Sequence, residues 1–383
     1  MHILIFGVPL YEGMAGSVRV RNLIQPISKK IGGNISNLYF SLQAENCEVP
    51  KSNKDLEINL NFKSVNSIFY YLKSSIYFIT NRFSRNEENI FYLYETPDLK
   101  TIFPLIYAKI IGYKIVVDIV EDNSLAASFG GSINRIRIKS GSFILKNLQF
   151  LIDLNLVIST HLKNLVISAN NDLSRVLYIP VTMDIGKYPI NPQPTKIANR
   201  IFYGGSFGKK DGLESLIIAF ERVCGSYPDL KLVLTGKGEN KADFEHIMDL
   251  IQNSVFTNRI EYKGFLSSAE YHDMLNSCDI FCVIRDNSDA ANSGFPSKLA
   301  EFLATGKAVI VSSVGDVPSF LKDKVNALLI QPGSIEDLVS ALRFLIDDPS
   351  KIDQIGKLGR EVAFKSFNNL IESEKLYKKL LTL

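Results

Sequence analysis

Short apolar runs rich in Ile, Val, Leu and Tyr alternate with longer amphipathic stretches along the chain, the pattern of parallel strands covered by helices. In the first half these runs predict strands at 2–8, 90–95, 114–120, 154–159 and 175–179. Helices are expected at about 17–31, 98–111, 132–150 and 160–168. Residues 181–199 belong to a stretch, beginning at Pro180, with four prolines and little apolar periodicity, which reads as a linker. A second alternation follows, with strands at 200–204, 230–235, 259–263, 279–284, 307–312 and 326–330. The tail from 368 to 383 reads as one more amphipathic helix, with Leu370, Tyr377, Leu380 and Leu381 near one face, packing back toward the N-terminal domain.

This pattern predicts an α/β protein of two doubly wound domains, 1–180 and 200–367, and 383 residues are too many for one ordinary domain. Such sheets bind ligands beyond the carboxyl ends of their strands, so the expected site is a cleft between the domains. The segment 64–85 stands apart, with Phe69, Tyr70, Tyr71, Tyr77, Phe78 and Phe83 followed closely by Arg82 and Arg85. It is either a helix buried against the first sheet or a helix lying on an anionic membrane with its basic residues at the headgroups. Arg135, Arg137, Lys139 and Lys146 either widen that basic surface or are ordinary solvated helix charge.

Composition narrows the classes. With 46% hydrophobic and 22% charged residues the chain is globular. Net charge is +3, divided as +5 over residues 1–180 and −2 over 181–383. That modest asymmetry suits contact with an anionic surface, and it is too sparse for a nucleic-acid binder. Four cysteines form no disulfide framework, and Cys278 and Cys282 lie in an apolar run without further Cys or His at ligand spacing. No basic stretch precedes the first strand and no run of 18 apolar residues occurs. A cytoplasmic protein, peripheral at most to the inner face of a membrane, is therefore expected.

Two stretches suggest chemistry. In YGGSFGKKDGLESLIIAF, 203–220, a strand is expected to end at Tyr203 and Gly204, Gly205, Gly208 and Gly212 to form a turn opening a helix. Glycines let backbone amides approach an anion, and Lys209 and Lys210 add cations, so a diphosphate fits; solvated lysines beside a plain turn are the alternative. In NSGFPSKLAEFLATGKAVIVSS, 292–313, Gly294, Phe295, Pro296 and Ser297 lead into a helix whose Lys298 and Glu301 face one side, three residues apart. Glu301 either accepts the hydroxyls of a ribose or merely complements the helix dipole.

Together the two stretches resemble the family 4 glycosyltransferases, a retaining family with the GT-B fold. The resemblance runs from Arg200 to about Phe367, through LKLVLTGKGE (230–239), IEYKGFLS (260–267) and GDVPSFLKDKVNALLIQPGSIEDLVSAL (315–342). HILIFG, KIVVDIVEDNS, LVISTHLKNLV and LYIPVTMD match more loosely in the first half. The resemblance implies that Gly204, Gly205 and Lys209 or Lys210 face the donor diphosphate. It also implies that Gly236 and the Gly264–Phe265 turn border the nucleotide, and that Glu301 holds the ribose. Glu301 matches the second of the family's paired glutamates, and the first usually stands eight residues earlier, where this chain has Ser293; the GFPSK form resembles a subgroup found among bacterial surface-polysaccharide enzymes. Ser206 stands where an arginine is common, so Lys209, Lys210 and Lys298 are the substitutes considered. Gly13 and Gly16 match the glycine loop after the first strand, facing the acceptor and the donor respectively. Asp118, Glu121 and Asp122 are acceptor-side candidates after a buried strand; of these Glu121 is the candidate for the acceptor hydroxyl, with a plain loop carboxylate as the alternative. His161 opens a helix, where capping or packing is favoured over catalysis.

The implied reaction transfers a sugar from a nucleotide-sugar, UDP-sugar preferred, to a glycan or lipid-linked saccharide in polysaccharide biosynthesis. Glu121, Lys210 and Lys298 are the expected catalytic residues. No Asp-x-Asp motif stands in a suitable loop, so no metal or other cofactor is expected and protein cations would stabilise the leaving diphosphate. Two other readings remain open: a nucleotide-sugar 2-epimerase on the same fold, and a non-catalytic nucleotide-sugar-binding or partner subunit.

Overall fold

The computed structural model describes residues 1–8, 15–41, 55–59, 64–122, 124–125, 132–170, 172–188, 195–208, 211–238 and 241–383. They fold as two compact units, Met1–Pro180 with Asn369–Leu383, and Val181–Asn368.

The first unit has strands β1 (His2–Phe6), β2 (Ile35–Ser41), β3 (Asp55–Asn59), β4 (Asn89–Tyr94), β5 (Lys114–Ile119), β6 (Leu154–Val157) and β7 (Val176–Tyr178). They form one parallel sheet in the order β3-β2-β1-β4-β5-β6-β7. Its helices are α1 (Ala15–Lys30), α2 (Val65–Arg82), α3 (Ile102–Ile111), α4 (Ser132–Asn147), α5 (Thr160–Asn170) and the last helix of the chain, α14 (Asn369–Leu380). Because side chains alternate along a strand, each sheet face has its own core. On one, Ile3, Ile5, Ile90 and Tyr92 pack with Val20, Leu23 and Ile27 of α1 and Leu376 and Leu380 of α14. On the other, the Phe91 ring lies 5.0 Å from Phe6 and 6.3 Å from Tyr113, whose hydroxyl donates to the Ile79 carbonyl of α2.

The second unit has β8 (Arg200–Ser206), β9 (Lys231–Lys237), β10 (Ile260–Tyr262), β11 (Ile280–Val283), β12 (Ala308–Ser312) and β13 (Leu328–Ile330), parallel in the order β10-β9-β8-β11-β12-β13. Around it lie α6 (Leu213–Cys224), α7 (Lys241–Asn253), α8 (Ser268–Ser277), α9 (Asp289–Ser293), α10 (Leu299–Ala304), α11 (Val317–Phe320), α12 (Ile335–Ile346) and α13 (Ser350–Ser366). Phe202 anchors one face, its ring 5.7 Å from both Phe281 and Phe302 at edge angles that suit aromatic pairs. In both sheets the winding direction reverses once, between β1 and β4 and between β8 and β11. Such reversals open a crevice at the strands' carboxyl ends.

Several expectations are corrected. Strand β2 escapes the apolar pattern because it buries Ser36 and Asn37 among its hydrophobic residues, and β3 because only Leu56 and Ile58 of its five residues are apolar. β8 runs on to Ser206, so Gly204 and Gly205 are strand residues paired with Thr235 and Gly236 rather than turn residues. The proline-rich segment, where described, is tied into the second unit: Met183 bridges to Asn368, and the Thr195 amide donates to Asp353. On α14 the inward face carries Asn369, Glu372, Ser373, Leu376 and Leu380, while Leu370 and Leu381 are exposed. Ser373 donates to the Asn22 carbonyl of α1, a polar contact that an apolar count does not register.

Candidate functional site

The reversal point of the second sheet is built from the ends of β8 and β11. After β8, Asp211 gathers the loop: its carboxylate accepts from the Ser206 hydroxyl and, at 3.3 Å, from the Gly208 amide. Arg285, two residues beyond β11, places Nη1 3.0 Å from Asp211 Oδ1, with both side chains largely buried. The Arg285 backbone is itself fixed, its amide donating to Ser312 Oγ at 2.9 Å and its carbonyl accepting from the same hydroxyl at 3.1 Å. Gly212 opens α6 at φ +58, and a Cβ there would come 2.7 Å from Ile284. The loop thus brings the glycine-opened start of α6 beside the Arg285–Asp211 pair, and the amides of a helix start suit an anion. Arg285 was missed in the sequence; its signal is that it is the first cation after a buried strand. Lys209 and Lys210 lie outside the described residues.

The connection after β11 carries the other candidates. Lys298 Nζ lies 3.0 Å from Glu301 Oε2 and 4.5 Å from the centre of the Tyr271 ring, whose hydroxyl donates to Glu301 Oε2 at 3.2 Å. The three-residue spacing therefore places lysine and glutamate together, and Tyr271 joins them from α8. Burial first, and then the charge of Glu301, push the Tyr271 and Tyr188 hydroxyls well above their usual range, and Tyr271 stays a protonated donor to the carboxylate. Ser293 is buried and donates to the Ala290 carbonyl at 3.1 Å. Phe295 turns its ring into a cluster with Phe320 and Phe367, each 5.6 Å away, and Pro296 is buried beside it. Ser297 is exposed, and Gly294 is extended at φ −98.

Gly236 and Gly264 meet at the ends of β9 and β10. The Gly236 amide donates to the Gly264 carbonyl at 2.9 Å, and Thr235 Oγ1 donates to the same oxygen at 2.7 Å. At φ +133, a Cβ on Gly236 would lie 1.8 Å from the Gly205 carbonyl, so only glycine fits. Gly204 sits one residue earlier on β8, its backbone beside the Phe202 ring. Phe265 is an exposed ring next to this junction, with Lys237 Nζ 5.9 Å from its centre.

In the first unit the acceptor-side candidates separate. Gly13 lies outside the described residues. Gly16 touches Tyr94 at the end of β4, where a Cβ would come 2.6 Å from the ring. Asp118 is a correction: it is fully buried inside β5 rather than beyond it, and Arg19 chelates it through Nε at 2.8 Å and Nη2 at 2.9 Å. Tyr92 donates to it at 2.6 Å, and Arg19 Nη1 also reaches the Pro180 carbonyl at 2.9 Å. That network spends Asp118 on the fold. Glu121 is exposed beyond β5, and its charge is felt by Tyr94, placing Gly16, Tyr94 and Glu121 near the first reversal point. Asp122 is buried, accepting from the Ser124 amide and hydroxyl and from His161 Nε2 at 2.9 Å. Burial pushes its carboxyl up, but the hydrogen bonds from His161 and Ser124 outweigh that and hold it below the ordinary range. His161 thus has a carboxylate partner beyond the capping or packing favoured for it.

Among the described residues no group of three or more His, Cys, Asp or Glu side chains is placed to hold a metal ion. Among them, too, no helix is long and apolar enough to cross a membrane.

Residues 189–362 match the family model described as glycosyl transferases group 1. The chain is 22% identical over 214 residues to the uncharacterised glycosyltransferase YqgM of Bacillus subtilis, covering 56% of each protein. It is 21% identical over 179 residues to the phosphatidyl-myo-inositol mannosyltransferase of Mycolicibacterium smegmatis, covering 46% of this chain and 44% of that one. The aligned part is thus about half the length of these relatives. The solved structure of HepE from Anabaena, in complex with UDP and glucose, superposes with a TM-score of 0.76 at 16% identity over 100% of both chains. Sucrose-phosphate synthase from Thermosynechococcus elongatus gives 0.72 at 15% identity, also over 100% of both. Residues 189–362 form a group 1 glycosyltransferase domain, and the chain has the GT-B fold.

Proposed function

We propose that the chain is a glycosyltransferase that moves a sugar from a nucleotide-sugar, preferably a UDP-sugar, to a glycan or lipid-linked saccharide in polysaccharide biosynthesis. The observation that carries the reading is the Glu301 carboxylate, fixed by Tyr271 and Lys298 within the domain that matches the family. A carboxylate so held is ready to accept ribose hydroxyls, while the exposed Phe265 ring offers a face to the base. UDP bound to HepE, a protein of the same fold, supports the choice of nucleotide.

The chemistry follows from charge. Cleaving the bond between the anomeric carbon and the diphosphate leaves negative charge on the phosphate as it departs. Arg285, Lys298 and the start of α6 supply positive potential where that charge develops, and Lys209 or Lys210 is the further cation this reading assigns to the leaving group. No divalent metal takes part in this reading. Glu121 receives the acceptor's proton, and configuration is retained. The first unit takes the acceptor and the second the donor.

A thermal-shift panel of UDP, GDP, ADP and their sugars, with and without magnesium, tests the donor site. A metal-independent rise with one nucleotide family, lost in Glu301→Gln, is the expected result. No rise with any nucleotide sinks the reading and points to a non-catalytic subunit. Conversion of the sugar in the absence of acceptor identifies an epimerase instead.

A further inference from the structure

Among the described residues, the helices on the Phe91 face of the first sheet leave an apolar strip exposed. α2 buries Tyr71, Ser75, Phe78 and Ile79, so the part of 64–85 that lies against the sheet is a conventional packing face. Its opposite side is not polar. Phe69 and Tyr77 are 68% and 70% exposed, and Val65, Tyr70 and Ile76 continue the same line. Val65 and Phe69 are four residues apart, and Phe69 and Ile76, like Tyr70 and Tyr77, are seven apart, which puts them along one side of an 18-residue helix, about 27 Å long. Beside it lies α3, joined through Thr80 Oγ1 and the Tyr107 hydroxyl at 2.6 Å, and it exposes Phe103 and Ile110, seven residues apart.

The charges of these helices have one sign. Neither α2 nor α3 contains an Asp or Glu. Lys73 is exposed within the strip, Arg82 lies 5.1 Å from the Phe78 ring centre, and exposed Arg85 follows. On α3, Lys109 is already matched by Asp153 at 2.6 Å.

We propose that this strip docks the protein on an anionic lipid surface. The Phe, Tyr and Ile side chains enter the boundary between headgroups and acyl chains, where amphipathic aromatic rings are at home. Lys73, Arg82 and Arg85 extend along their aliphatic stems to meet the lipid phosphates. A second copy of the chain is the poorer occupant. A two-fold contact through the strip brings Lys73 toward its own equivalent, with no carboxylate on either helix to offset the repulsion. The proposal concerns a surface of the first unit and is independent of the donor site.

The test uses the full chain with vesicles of phosphatidylcholine alone and of phosphatidylcholine mixed with phosphatidylglycerol, read by co-sedimentation. Partition is expected to rise roughly tenfold on adding the anionic lipid and to fall with salt. The double variant Phe69→Ser, Tyr77→Ser is expected to lose most of that partition at an unchanged unfolding midpoint. Lys73→Glu with Arg85→Glu is expected to remove the preference for anionic lipid. Failure of the native chain to partition, or equal partition of the serine variant, overturns the proposal. A fall in molar mass of the serine variant by light scattering without vesicles overturns it in favour of self-association.

Discussion

Arg285 and Asp211 join the connections that follow β11 and β8, 3.0 Å apart, across the reversal point of the second sheet. The pair holds the glycine loop through Ser206 and Gly208, so it reaches the backbone expected to meet an anion. Removing one partner of a mostly buried ion pair leaves an uncompensated charge, which costs about 3–5 kcal/mol. Arg285→Ala should therefore lower the urea midpoint and, separately, reduce the stabilisation by UDP. Arg285→Lys, which keeps the charge but not the fork, should recover part of the first and less of the second. A variant with native stability and native response to UDP contradicts this role.

Glu301→Gln keeps the shape of the side chain and removes its charge. Glu301 is only partly buried, so the fold should tolerate the change. A hydrogen bond to a charged group contributes about 1.5–3 kcal/mol. Nucleotide affinity, followed by calorimetry, should fall roughly 10- to 100-fold. Tyr271→Phe should give a smaller loss in the same assay.

Asp118 should behave as part of the core. Asp118→Asn breaks the chelation by Arg19 and should destabilise the chain by about 3–5 kcal/mol. Unfolding in urea reads this directly. An Asp118→Asn chain of native stability that has lost only its use of the acceptor restores the acceptor-side assignment.

The Asp122–His161 pair predicts a pH dependence. Asp122 is held below the ordinary carboxylate range in the folded chain, so the folded state binds its proton less readily than the unfolded one. Its contribution to stability is present above the unfolded value and is lost as pH falls through the lower folded value. Thermal melts between neutral pH and the acid range should show this loss, and His161→Ala should flatten it. An identical acid profile in His161→Ala shows that Ser124 alone holds the carboxylate.

The second unit was largely legible because its strands are uninterrupted apolar runs and its loops carry the glycines. Lys298 and Glu301 could be paired from their spacing alone, since residues three apart on a helix are neighbours. What escaped was contact across the sheet. Arg285 meets Asp211 from 74 positions away, and Tyr271 meets Glu301 from 30; no local period encodes either partner. In the first unit, buried polar residues hid β2, and the buried Asp118 looked like an exposed one because strand and loop carboxylates read alike in sequence. Phe295 lies in the loop that leads into the Lys298–Glu301 turn, yet its ring packs against Phe320 and Phe367, leaving its backbone as the part that can face a ligand.

The position of α14 makes the first unit begin before the second and be finished after it. Leu376 and Leu380 cover the apolar side of α1, yet they are synthesised only after every strand of the second unit. Until then Val20, Leu23 and Ile27 lack part of their cover, an aggregation hazard for any intermediate that waits. Removing Asn369–Leu383 leaves the same surface bare for good. A first unit expressed alone therefore needs that helix supplied, either fused behind Pro180 or added as a peptide, before it reaches the stability it has in the full chain.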